Sequence, residues 1–119
     1  MLRDRSLFLD DIASSCRKIS SFVEGYSYDE FLLDEKTFDA VVRNLEVIGE
    51  AVKHLSADFR EQHPSTDWRA IAGMRDILTH VYFALDLEVL WNVVQVEVPQ
   101  LLVSVQEILG SNQEENPDS

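Results

Sequence analysis

The sequence predicts an all-α fold, an up-down bundle of four to five helices, and three observations carry that prediction. Gly and Pro, which break helices and build turns, number only 4 and 3 in 119 residues. Apolar residues recur at three- and four-residue spacing along most of the chain, the period of a helix that buries one face. No stretch shows the strict apolar–polar alternation of a half-buried strand. The length suits one domain with a single core. Residues 1–110 read as that helical domain, and 111–119 as a polar, acidic tail expected to be disordered.

The first helix is expected from about Asp4 to Val23, with Phe8, Ile12, Cys16, Ile19 and Val23 as its buried stripe. Gly25 ends it, and Ser27-Tyr28-Asp29-Glu30 opens a short helical turn. Asp34 is a good N-cap, since its carboxylate can accept from the free amides of a first turn. A second helix follows from about Glu35 to Leu55, with Phe38, Val41 or Val42, Leu45, Ile48, Val52 and Leu55 inward. Gly49 inside it costs about 1 kcal/mol relative to Ala, which close approach of another helix would offset. Ser56 to Thr66 reads as a connector, because Pro64 bars a continuous helix, and Phe59 anchors it to the core. Asp67 caps a third helix carrying Trp68, Ile71, Ala72, Arg75, Leu78 and Thr79. Asp86 starts a fourth, whose stripe runs from Leu87 through Trp91, Val94, Val98 and Val105 to Leu109. Pro99 is expected to kink that helix without ending it, because the stripe continues in phase, and Gly110 to cap its end.

Composition narrows the function. No apolar run approaches the roughly 18 residues needed to cross a bilayer, so no membrane role is expected. Asp10 and Asp11 interrupt the apolar residues where a secretory leader needs them uninterrupted. A single cysteine, Cys16, has no internal partner and fits a helix stripe as a small apolar residue. The cytoplasm is the expected compartment. The net charge of −12 opposes non-specific RNA binding, which usually leaves a basic footprint. That charge is segregated, however. Every Lys and Arg lies at or before Arg75, whereas from Ala51 to His80 the signs balance and all three histidines occur.

The segment Arg75-Asp76-Ile77-Leu78-Thr79-His80-Val81-Tyr82 gathers the reactive side chains. Arginine offers a planar fork of donors that matches phosphate, and histidine titrates near neutral pH, as proton transfer requires. Together they suffice for cleaving a phosphodiester without a metal. On an ideal helix, Arg75 and His80 are five positions apart, about 140° around the axis, and do not share a face. Asp76 does align with His80, and Arg75 with Thr79 and Tyr82. For Arg75 and His80 to meet on one phosphate, the helix must end near His80 or a second chain must supply the complement. A two-fold dimer beside the helix end does this simply. Spacing alone reads as well as a solvated face with surface ion pairs. His54 and His63 read as a helix-end and a loop histidine, and Trp68 and Trp91 as core. Metal chemistry finds no H-E-x-x-H, no cysteine cluster and no Glu-x-x-His pair, and there is no glycine-rich phosphate loop.

The run from Ile71 to Phe83 resembles the R-x-x-x-x-H-x-Y signature of HEPN-domain toxins, the HepT-like partners in HEPN–MNT toxin–antitoxin pairs. The likeness extends to Ile48-Gly49-Glu50-Ala51 and to Asp86-Leu87-Glu88-Val89-Leu90-Trp91, and covers roughly Arg5 to Leu109. It implies a HEPN-like bundle that dimerises through the helices carrying the motif, with the Arg–His motifs of both chains lining one cleft. It implies a metal-independent endoribonuclease acting on cellular RNA and needing no cofactor. It further implies a cognate MNT nucleotidyltransferase antitoxin that transfers AMP to the motif tyrosine, matching Tyr82.

On that basis, attack of a ribose 2′-OH on the adjacent phosphate is the expected chemistry. His80 serves as general base or acid, and Arg75 holds the phosphate and its developing charge. Asp76 orients His80, or is a plain surface carboxylate. Nucleotide added at Tyr82 brings bulk and negative charge where substrate phosphate must bind. The alternative is a non-catalytic helical module that binds and positions a nucleotidyltransferase. A helical metal enzyme is a weaker third reading.

Overall fold

Local sequence signals start each helix of this protein. The computed structural model describes residues 4–79 and 86–115. Helix α1 spans Arg5–Phe22, where the Asp4 carboxylate accepts from Ser6 N at 3.1 Å and covers one otherwise free amide. It ends at a turn in which Gly25 takes φ +78°, a conformation costly for any residue with a Cβ. A capping box starts α2 (Tyr28–Leu33). Ser27 Oγ accepts from Glu30 N and Glu30 Oε1 from Ser27 N, each at 3.1 Å.

Asp34 then caps α3 (Glu35–Lys53) and does more than the sequence indicated. Its carboxylate accepts from Thr37 N at 3.1 Å, Thr37 Oγ1 at 2.7 Å and Tyr26 Oη at 2.6 Å. Led by the Tyr26 hydrogen bond, these donors hold the Asp34 carboxyl down at about 2. The loop between α1 and α2 is thereby tied to the start of α3.

The connector expected from Ser56 to Thr66 contains a further helix, α4 (Ala57–Gln62). Pro64 does bar continuity, but Ser56 supplies a cap, its Oγ accepting from Phe59 N at 3.1 Å. Burial of Phe59 then stabilises a segment too short to be helical alone. Helix α5 spans Trp68–Thr79, and Asp67 Oδ1 accepts from Ala70 N at 3.1 Å, as the sequence indicated. Asp86 caps α6 (Leu87–Asn92) through Val89 N at 3.2 Å.

A π-helical segment, Val93–Glu97, precedes Pro99, and α7 (Val98–Glu115) continues beyond it, so that the proline does not end the helix, as expected. Val98 N reaches back five residues to Val93 O. A proline ring crowds the carbonyl four residues before it, and the wider π turn relieves that contact while the apolar stripe stays in phase. Gly110 does not cap the end. Its φ is not positive, the helix continues to Glu115, and the tail expected from Ser111 therefore begins as helix. One glycine costs only about 1 kcal/mol in a helix already held by Val105 and Ile108 in the core.

Helix α6, the π segment and α7 follow one another without a break as one last rod, so that among the described residues there are four long helical elements (α1, α3, α5 and this rod) and two short ones (α2 and α4), without strands. α1 packs on α3 and α7, and α3 also packs on α5. The core joins Leu9, Ile12, Cys16 and Ile19 of α1 to Val41, Leu45, Ile48 and Val52 of α3, and to Val94, Val98 and Val105 of the last rod. Leu9 is fully buried where the expected stripe had Phe8, which is only partly buried. Cys16 is buried, as expected, and burial pushes its thiol up to about 12.

Candidate active site on helix α5

The N-terminal half of α5 is held by an aromatic cluster. Trp68, its first residue, is 4 % exposed and donates Nε1–H to His63 O at 2.9 Å. Phe59 lies between them, its ring centroid 5.8 Å from that of Trp68 and 4.6 Å from that of His63. The Arg5 guanidinium sits 4.9 Å above the same Phe59 ring, which ties the start of α1 to this corner. Arg60 Nη2 donates to Val52 O at 2.7 Å and so covers a carbonyl at the end of α3. These contacts fix where α5 begins, and Leu78, 5 % exposed, packs its far end into the core.

Arg75 and Asp76 lie in the last described turns of α5. Their side chains, together with His80 and Tyr82, fall outside the described residues. The other two histidines have ordinary surroundings. His54 caps the C-terminus of α3, stacks on Phe8 with ring centroids 4.7 Å apart, and lies 3.9 Å from Glu50. His63 caps α4 against Phe59. Trp91 packs on Phe31 with centroids 5.0 Å apart, and Tyr26 donates to Asp34; neither stands free as a base-stacking platform. Among the described residues no group of His, Cys, Asp and Glu is placed to hold a metal ion. No described helix is long and apolar enough to cross a membrane.

Beside α5 the fold leaves a feature that the sequence reading did not single out. Both α5 and α7 lean on the central helices without closing on each other, and a groove of about 440 Å³ remains. Buried Ile48 of α3 lines it, with Ile71 and Met74 of α5 on one side and Val93, Val98 and Leu101 on the other. The available signal was weak. Val89, Val96 and Val103, spaced by seven and all exposed, could have pointed to a second apolar face on the last rod.

Comparison with known proteins places the chain. Residues 12–108 match the family model described as Ribonuclease HepT-like. A Methanocaldococcus jannaschii protein named as a candidate RNase is 40% identical over 117 residues, 98% of this chain and 97% of its own length. A Thermococcus cleftensis protein named as a candidate ribonuclease HepT is 44% identical over 101 residues, covering 85% of this chain and 92% of that one. A further candidate RNase, from Caldanaerobacter subterraneus subsp. tengcongensis, is 42% identical over 102 residues, 86% of this chain and 91% of that one. No solved structure matches. The matched region runs from α1 into α7 and includes all of α5, and the chain belongs to the HepT-like ribonuclease family.

Proposed function

We propose that this ribonuclease cuts cellular RNA without a metal, using Arg75 and His80, with Asp76 in support. The observation that carries the reading is the family match across residues 12–108, which encloses the Arg75–His80–Tyr82 spacing and both flanks. The 2′-OH gives up its proton and its oxygen attacks the adjacent phosphorus. A 2′,3′-cyclic phosphate forms, and the P–O5′ bond breaks with a proton delivered to the departing 5′-oxygen. His80 moves these protons, while Arg75 balances charge on the non-bridging oxygens. Asp76, one helical turn before His80, orients its imidazole.

A homodimer completes the site. Two residues about 140° apart on one helix do not converge on one phosphate, whereas a two-fold axis beside the end of α5 presents two copies of each. One His80 then takes the 2′-OH proton and the other supplies the proton to the 5′-oxygen. The protein acts in the cytoplasm as the toxin of a toxin–antitoxin pair. Its MNT nucleotidyltransferase partner silences it by attaching AMP to Tyr82, which places bulk and negative charge where substrate phosphate must sit.

The test is incubation of total RNA in excess EDTA with wild-type protein, His80→Ala and Arg75→Ala, followed by mapping of the product ends. Wild type gives 2′,3′-cyclic phosphate ends, and each variant loses about 10²-fold or more. Undiminished cleavage by a folded His80→Ala protein refutes the mechanism. Mixing wild type with excess His80→Ala tests the shared cleft, because a mixed dimer keeps only one His80 and the variant then suppresses wild-type cleavage. Intact mass after co-expression with a neighbouring nucleotidyltransferase tests Tyr82, through a gain of AMP that Tyr82→Phe abolishes.

A further inference from the structure

The groove between α5 and the last rod has a chemical character that neither RNA nor a second rod would match. Its walls are apolar: Ile71 and Met74 on α5 face Val93, Val98 and Leu101 across buried Ile48. Its charged lining residues are acidic, Asp67 at the start of α5 and Glu97 at the end of the π segment. Glu88 stands exposed on α6 beside Val89, which is 46 % exposed and lines the same groove. The imbalance is written into the whole C-terminal part of the chain, since no Lys or Arg follows Arg75. An apolar floor with an anionic rim recognises an apolar side chain presented among cations.

We infer that this groove docks a protein partner through a basic amphipathic surface, with one or two large apolar side chains entering between Met74 and Val93 and Lys or Arg on the rim facing Glu88 and Glu97. RNA fits poorly, because its phosphates meet carboxylates and no cation is among the described residues that line the groove. A second copy joined rod to rod fits poorly too, since an isologous contact sets the acidic rim against itself. The occupied groove borders Met74 and Val89, which lie on either side in sequence of the segment that carries His80 and Tyr82. The inference holds whether or not the chain cuts RNA, because its evidence is the groove itself.

The probe is a short amphipathic helical peptide with leucines at every third or fourth position and lysines elsewhere. It is compared with a peptide carrying the same leucines and glutamates in place of the lysines, and with a short RNA. Methyl NMR spectra of the full-length protein, with Val, Ile and Met labelled, report which side chains respond. The lysine peptide shifts Met74, Val89 and Val93 methyls saturably, and the glutamate peptide and RNA leave them in place. Glu88→Gln and Glu97→Gln each weaken that binding by about threefold at low salt, and their combination by about tenfold. Val89→Asp abolishes it, with an unchanged circular dichroism spectrum and unchanged core Ile12 and Val41 methyl shifts as proof of a folded chain. Four outcomes overturn the inference: equal binding of both peptides, no shift with either, groove shifts caused by RNA, or groove shifts that grow with protein concentration alone.

Discussion

Truncating Phe59 to Ala tests the packing that fixes α5. The ring is 2 % exposed, faces His63 and Trp68 at 4.6 and 5.8 Å between centroids, and lies 4.9 Å under the Arg5 guanidinium. Removing a buried aromatic ring costs about 3–5 kcal/mol, as lost transfer energy plus the cavity left behind. The cation–π contact with Arg5 accounts for about 0.5–1 kcal/mol of stability. The expected loss is about 4–5 kcal/mol, a large part of the roughly 5–15 kcal/mol that holds a domain folded. With a urea slope near 1.5 kcal/mol per molar, the midpoint falls by about 3 M at unchanged slope. Phe59→Leu, which refills most of the space, costs only about 1–2 kcal/mol. Urea titrations followed by circular dichroism at one fixed protein concentration read these values. A cycle with Arg5→Ala isolates the cation–π part, which is expected near 0.5–1 kcal/mol. A loss below about 2 kcal/mol for Phe59→Ala at unchanged slope refutes the view that this ring anchors α4 and the start of α5.

Two further substitutions and one labelling experiment probe single residues. Arg60→Met removes the 2.7 Å bond to Val52 O, which keeps the Leu55 amide at 3.0 Å, and is expected to cost about 0.5–1.5 kcal/mol in chemical denaturation. The Asp34 carboxyl, held at about 2, lies below its ordinary 3.8, so its contribution to stability is full above about pH 4 and is lost as pH falls through about 2. Asp34→Asn lacks that dependence, and the gap in melting temperature between wild type and variant narrows between pH 5 and pH 2. A gap that stays constant across that range contradicts the assignment. Cys16, buried with its thiol pushed up to about 12, is expected to resist a thiol reagent at pH 8 in the native protein and to react at once in denaturant.

The helix starts were legible because their causes are local. Asp4, Ser27, Asp34, Asp67 and Asp86 each accept a first-turn amide, a job that a side chain performs on atoms two or three residues away. What sequence left unread depended on distant partners. Helix α4 is too short to stand alone and exists because Phe59 finds Trp68 and His63. Nothing near Tyr26 in sequence names its partner, because its hydroxyl finds Asp34 only once the turn at Gly25 has folded back. Around Pro99 the in-phase apolar stripe was legible, but the π turn before the ring was not, because backbone crowding and not side-chain type sets it.

For the site, the contrast between residue type and residue position is sharper. Arg75, Asp76, His80 and Tyr82 suggest phosphate chemistry by side-chain type alone, and on an ideal helix Arg75 and His80 would be about 140° apart. The groove along α5 announces nothing in sequence, because Ile48, Met74, Val93 and Leu101 each look like ordinary core. It becomes a surface only because α5 and α7 lean on the central helices without meeting each other. Charge then separates the two features. The acidic residues after Arg75 make the last rod an unfavourable approach for RNA, whereas Lys53 at the end of α3 and Arg69 on α5 stand exposed. A net charge of −12 is thus compatible with an RNA substrate if the strand approaches from the side bearing those cations. On the same ground, raising salt should weaken RNA binding and peptide docking together, while Glu97→Gln should weaken docking alone.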